Sequence, residues 1–212
     1  MRGQVRRRLL ESARTLCARD GVGATSLRGV VQAAGANLNS VHYHYGSREA
    51  LIDAVADDAL EALNRARFLA FDELEPGGGR GREDVSRILA AGYGPLFHQA
   101  LGPERDATRP GLLVVGQLRN DPLGPELPGM NRHAERFIAR IEAELRRATG
   151  LTPGRLRPRM QLVNAAAWDS ALRPDVLARV EAARSPRAAL ARLERDFLAF
   201  STAGLCDLLE TR

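Results

Sequence analysis

The sequence contains no lysine: all 31 of its basic side chains are arginine, set against 26 acids in 212 residues. Together with the abundance of arginine, alanine, glycine and leucine, that choice reads as coding bias before function. Cysteine is nearly missing as well. Cys17 and Cys206 stand far apart, each in a helical apolar pattern, so reduced core thiols are expected and a disulfide framework is not. No long apolar run exists either; the uncharged stretch Ile88 to Pro103 is broken by Gly92, Gly94, Pro95 and Gly102, which argues against a membrane span. The arginine-rich start leads into a patterned helix instead of an apolar run with a cleavage site, so no secretory signal and a cytoplasmic location are expected. The glycine run Pro76-Gly77-Gly78-Gly79-Arg80-Gly81-Arg82 lacks the Gly-Lys-Ser/Thr ending of a phosphate cradle, and no strand precedes it, so it reads as a linker. No cofactor and no metal site are expected.

Helical periodicity is what the chain has in quantity. Val5, Leu9, Ala13, Leu16 and Cys17 share one stripe of a first helix, and Leu51, Ile52, Val55, Ala59 and Leu63 share one of a fourth that runs on towards Phe68. Further helices are expected over about 84–101, 106–120, 131–149, 153–172 and 186–210. In the third of these, Ala134, Phe137, Ile138, Ile141, Leu145 and Ala148 are expected to face inward. A break is expected at Asp121 to Gly129, and the segment Arg173 to Ser185 is expected to hold one short turn. No alternation of period two appears, so the fold class is all-α.

Residues 21 to 51 carry the most specific signal. Thr25 or Ser26 can cap one helix, Gly35 supplies the turn that stops it, and Asn37 can cap a short second helix, the pattern of a helix-turn-helix. On that short helix Asn39, Ser40, His42, Tyr43 and His44 present amide, hydroxyl and imidazole groups, on a rod narrow enough for the DNA major groove. Val41 points the other way, towards Leu27, Val30 and Leu51. Charge is distributed to match: residues 1 to 50 hold eight arginines (2, 6, 7, 8, 14, 19, 28 and 48) against Glu11, Asp20 and Glu49, and 8 − 3 = 5 is the net charge of the whole protein. His42 and His44, two apart on a helix, face different directions and no cysteine or acid completes a metal site.

Residues 5 to 52 resemble the DNA-binding domain of the TetR/AcrR family of bacterial one-component transcription regulators. The resemblance rests on the amphipathic first helix, Gly21 with Thr25-Ser26, Ala34-Gly35, and Ser40-Val41-His42-Tyr43-His44-Tyr45 leading to Ser47-Arg48-Glu49-Ala50-Leu51. It implies base contacts for Leu38, Asn39 and His42, a base or phosphate contact for Arg28, and phosphate contacts for Ser40, Tyr43, His44 and Arg48. Two departures stand out. Gly29 sits inside the second helix, where it costs roughly 1 kcal/mol relative to alanine, and Tyr45 replaces a more usual phenylalanine, so its hydroxyl needs a partner.

The implied organisation is a helix-turn-helix domain over 1–50 and a helical effector-binding and dimerisation domain over 51–212. In the last helix Leu190, Leu193, Phe197, Phe200, Gly204 and Leu208 form one stripe, and Leu198, Leu205 and Leu209 form another. Apolar residues on more than half the circumference call for burial on both sides, which a second copy of the chain would supply through Leu193, Phe197, Phe200, Gly204 and Leu208. The resemblance implies the same two-fold pairing, through 153–172 with 186–210. It also implies an effector pocket in the larger domain, for which the candidates are Tyr93, His98, Gln117, His133, Asn164 and Trp168, with Asn120 and Asp169 also interrupting apolar helices. The reading is a DNA-binding regulator, as a repressor in the first instance, that holds an inverted-repeat operator as a homodimer until a small molecule releases it. An effector-independent or architectural DNA-binding protein is the alternative. A small helical enzyme using His98, His133 or Asp169 is the remote one, since no nucleophile and base, metal motif or cofactor loop is present.

Overall fold

Apolar residues recur at helical spacing throughout the chain, and the computed structural model resolves that pattern into ten α-helices with no strand among the described residues, 2–74 and 81–210. They are α1 (Arg2–Asp20), α2 (Leu27–Ala33), α3 (Leu38–Tyr45), α4 (Arg48–Asp72), α5 (Arg82–Leu101), α6 (Arg105–Leu118), α7 (Pro128–Thr149), α8 (Pro153–Leu172), α9 (Pro174–Ala182) and α10 (Pro186–Glu210). A single 3₁₀ turn, Gly124–Glu126, lies in the expected break before α7. Most of the glycine run read as a linker, residues 76–80, lies outside the described residues. No described helix is long and apolar enough to cross a membrane.

The chain divides into two compact units, Met1–Ala62 with Asp106–Ala134, and Leu63–Arg105 with Glu135–Arg212. The first therefore takes in α6 and the start of α7 as well as the helix-turn-helix. Its core is Leu9, Ala13, Cys17, Val30, Val41, Leu51, Ile52 and Val55, and α6 approaches α4 closely enough that a methyl on Gly111 would lie 2.8 Å from the Ala59 Cβ. The Gln117 side chain from α6 ties down the end of α1: its oxygen accepts from the Val22 amide at 2.8 Å and its nitrogen donates to the Cys17 carbonyl at 3.2 Å. Asp53 on α4 accepts from the Gly129 and Met130 amides at 2.9 and 3.1 Å, meeting the free N–H groups at the start of α7, while Asp57 holds Arg132 at 2.6 Å and His133 at 3.0 Å.

The second unit is built on α5, which packs against α8 and α10. Tyr93 and Phe97 on α5 meet Phe197 on α10 with ring centroids 5.5 and 5.1 Å apart, and Tyr93 also meets Phe137 on α7 at 5.7 Å. The Arg67 guanidinium is buried over the Phe137 ring, 3.8 Å from its centroid, and donates to the Gly92 carbonyl.

Three expectations need correction here. Arg173 to Ser185 holds the nine-residue helix α9 and not a single turn, because Val176 and Val180, four apart, are both buried. Ile138 is exposed: Phe137, Ile141, Leu145 and Ala148 fill the inward arc of α7, and Ile138 lies about 100° away from the first of them. Phe197 turns into its own unit against Tyr93 and Phe97, so the buried arc of α10 runs through Leu190, Phe197, Ser201 and Leu205 and leaves Phe200 and Gly204 on the outside. The Leu208 side chain lies outside the described residues. Both cysteines are buried, and neither is part of a disulfide.

Candidate nucleic-acid interface

Three local devices set the short helix α3. Ser26 Oγ accepts from the Gly29 amide at 3.1 Å and starts α2. Gly35, at φ +58°, turns the chain after it. Asn37 Oδ1 then accepts from the Ser40 amide at 2.9 Å and from the Ser40 hydroxyl at 3.0 Å, starting α3, which Gly46 ends at φ +84°. Val41 is fully buried, with Val30 and Leu51 also in the core and Leu27 half-buried. A helix this short with one wholly buried anchor has its remaining faces free for contact.

Those faces carry the residues read from the sequence. Leu38, Asn39, His42 and Tyr43 are exposed on α3, Ser40 and His44 partly so, and Arg28 is exposed on α2. Tyr43 shows 67% of its surface and Leu38 42%, a large apolar exposure for the first residue of a helix and a match for a thymine methyl group. Tyr43 and His44 meet edge-to-face at 4.9 Å. The His42 Nδ1 lies 3.0 Å from the Gly46 carbonyl, which can only accept, so Nδ1 carries the proton. In the neutral ring Nε2 is then an acceptor, suited to the amino groups of adenine or cytosine.

Arg48 is engaged differently from the sequence expectation of a phosphate contact. Its Nε donates to the Thr25 carbonyl at 3.2 Å, Nη2 donates to the Val22 carbonyl, and Nη1 lies 3.9 Å from Glu49. It braces the α1–α2 loop, a long-range role that no local pattern announces. Ser47, also unassigned from the sequence, accepts from the Ala50 amide at 3.0 Å and starts α4. Tyr45 finds its partner in the Arg6 carbonyl at 2.8 Å, with the Arg6 guanidinium over its ring, and burial pushes its phenol above the usual value. Of the basic side chains in this unit, Arg19 pairs with Asp20 and Arg14 with Asp58, whereas Arg6, Arg7, Arg8 and Arg28 are exposed. Gly29 is not demanded by packing, since an added methyl would meet Ser26 Oγ at 3.4 Å and Leu16 at 3.9 Å, ordinary contacts.

The six residues named for an effector do not converge. Gln117 and His133 belong to the first unit, each committed to the partners described above. Tyr93 lies in the aromatic cluster, Trp168 is buried on α8, and Asn164 is half-buried one turn before it. His98 alone lines a cleft in the second unit, of about 400 Å³, between Ala66 on α4, Ala90, Gly94 and Pro95 on α5, and Glu194 on α10. Its volume falls in the range of small-molecule sites. Glu194 was not singled out from the sequence, where it reads as one acid among many on an amphipathic helix.

Residues 9–55 match the family model described as bacterial regulatory proteins, tetR family. Comparison with curated proteins finds no match. Among solved structures, the fatty acid degradation regulator FadR from Bacillus halodurans aligns with a TM-score of 0.62 at 11% identity, covering 92% of this chain and 94% of its own. A TetR-family transcriptional regulator from Bordetella parapertussis aligns with 0.61 at 16% identity over 92% and 94%. GusR from Salmonella enterica aligns with 0.56 at 19% identity over 96% and 95%. At these identities the structures are alike in fold.

Proposed function

We propose that this chain is a DNA-binding transcriptional regulator of the tetR family of bacterial regulatory proteins and works as a repressor: a cytoplasmic homodimer on an inverted-repeat operator, released by a small molecule. The observation that carries the reading is α3 itself, a helix anchored through Val41 whose exposed side chains are nearly all hydrogen-bonding groups. Leu38, Asn39 and His42 read base edges; Arg28, Ser40, Tyr43 and His44 hold phosphates, and Arg48 keeps the loop beneath them in place. Residues 1–50 are the reader, and 51–212 provide sensing and pairing.

Pairing is supported by two large apolar side chains left in water: Phe200 on α10 is 74% exposed and Leu162 on α8 is 71% exposed. A second copy covering them would set two reading helices roughly 34–36 Å apart, one turn of DNA. An effector that prefers a dimer with another spacing weakens operator binding by the difference in its affinity for the two states.

The test is selection of genomic fragments by the purified full chain at two salt concentrations. Recovery of a short inverted repeat is the expected outcome. Recovery of unselected DNA with a steep salt dependence would replace the regulator reading with an architectural one.

A further inference from the structure

The acids buried in the second unit have arginine partners. Glu142 takes the Arg157 guanidinium at 2.9 Å, and Glu144 takes Arg140 and Arg147 at 2.9 and 2.5 Å. Glu194 is the exception. Its side chain is 20% exposed, and its Oε1 is buried without a directed hydrogen bond, facing only the His98 Nε2 at 3.2 Å. The imidazole is 63% exposed. A carboxylate oxygen withdrawn from water, whose one neighbour of opposite character is a largely exposed imidazole, is an unmet demand for a cation.

The space beside it suits one. Besides His98 and Gln99, the cleft is lined by Ala66, Ala90, Gly94 and Pro95, apolar and small, and nothing lies within 4 Å of where a methyl on Gly94 would sit. The cleft therefore offers apolar area for a hydrocarbon body and one anionic end.

We propose that this cleft binds an organic ammonium ion, whose charged nitrogen replaces His98 as the partner of Glu194 while its apolar body lies along Ala66, Ala90, Gly94 and Pro95. The ring of His98 swings out to solvent as the amine enters. That the occupant is also the effector rests on the regulator reading; that it binds does not.

Isothermal titration of the full chain with benzylamine, hexylamine and benzyltrimethylammonium tests this, with benzyl alcohol, hexanol and benzoate as matched controls. At least one of the ammonium probes binds one per chain, about ten- to hundredfold tighter than its control, the margin of one charge-assisted contact. Glu194→Gln removes that margin, and His98→Ala leaves it or increases it. Gly94→Leu, which places its side chain in open space and keeps the helix, blocks all probes while the circular dichroism and the thermal midpoint stay those of a folded protein. Equal binding of charged and neutral probes, binding by none of the three ammonium ions, or undiminished binding to the Gly94→Leu protein would each overturn the assignment. Operator binding, followed by fluorescence anisotropy in the same samples, keeps the two readings apart. Amine binding without any sequence-specific DNA binding upholds the site and removes the regulator reading. Operator binding with no amine binding does the reverse.

Discussion

The two units of this chain solve opposite problems with the same kind of helix. The reading unit is closed: α6 lies against Ala59 with no room for a methyl at Gly111, the Gln117 amide is spent on two backbone groups, and what is offered to a partner stands outside, on α3. The second unit, the proposed sensor, keeps open space inside its surface, at Gly94, with an acid beside it that faces an imidazole and no guanidinium among the described residues. A reader must present one fixed set of donors and acceptors to a rigid duplex, so its interior tolerates no slack. A sensor must have somewhere for a ligand to go, and slack of this kind is what the proposed role requires.

The sharpest way to break the contrast is to attack the proposed pairing, on which both proposed roles depend. Phe200→Arg should cost about 2–4 kcal/mol of dimer free energy, the scale of a buried aromatic anchor. Sedimentation should show monomers with an unchanged circular dichroism spectrum, and operator affinity should fall with them. A variant that stays dimeric would mean that this face of α10 is not the interface.

Within the reader, two substitutions separate reading from bracing. Arg48→Met removes two donors from carbonyls of the α1–α2 loop and should lower unfolding stability by about 2–3 kcal/mol, weakening binding to all DNA. Asn39→Ala should leave stability alone and cost about 1–3 kcal/mol on the operator only. If Arg48→Met is fully stable and lowers the salt slope by about one unit, the side chain leaves the loop to hold a phosphate after all.

Packing offers a smaller test of the same difference, one glycine from each unit. Gly111→Ala drives a methyl against the Ala59 Cβ, which cannot rotate away, and should destabilise by about 1–3 kcal/mol. Gly94→Ala meets nothing and should gain up to about 1 kcal/mol from helix propensity. Equal effects in chemical denaturation would mean that the slack assigned to the cleft is absent in solution.

The reader was legible in the sequence because its rules are local. Ser26, Gly35, Asn37 and Gly46 act within a few residues of themselves, so caps and turns can be read in order, and a helix with one apolar residue among polar ones declares which side is in. The contacts of Arg48 and Gln117 could not be read for the converse reason: their partners lie 23 to 100 residues away and are backbone atoms, which carry no sequence signature. The fold class and most helix bounds followed from periodicity. Which side of α10 faces its own chain did not, since Phe197 and Phe200 differ by three residues and look alike until α5 brings Tyr93 and Phe97 against one of them. The cleft was the least legible feature, being an absence of atoms between three helices.

Proton linkage gives the smallest effect and bears most directly on Glu194. In the reading unit the groups pushed up by burial are the Cys17 thiol and the Tyr45 phenol, both neutral at pH 7 before and after folding. In the sensing unit the group is a carboxylate: burial raises Glu194, and the His98 charge pulls it back only in part. A carboxyl raised on folding holds its proton more tightly in the folded state, so its stabilising contribution is complete below the ordinary carboxylate range and is lost as pH rises through the raised value. Urea denaturation of the wild-type chain should therefore lose stability, relative to Glu194→Gln, as pH climbs from the ordinary carboxylate range. His98→Ala should steepen that loss by removing the one charge that offsets it. Parallel pH profiles for the wild-type and Glu194→Gln proteins would mean that the carboxylate is already well solvated, and the cleft would then have no unmet charge with which to choose a cation.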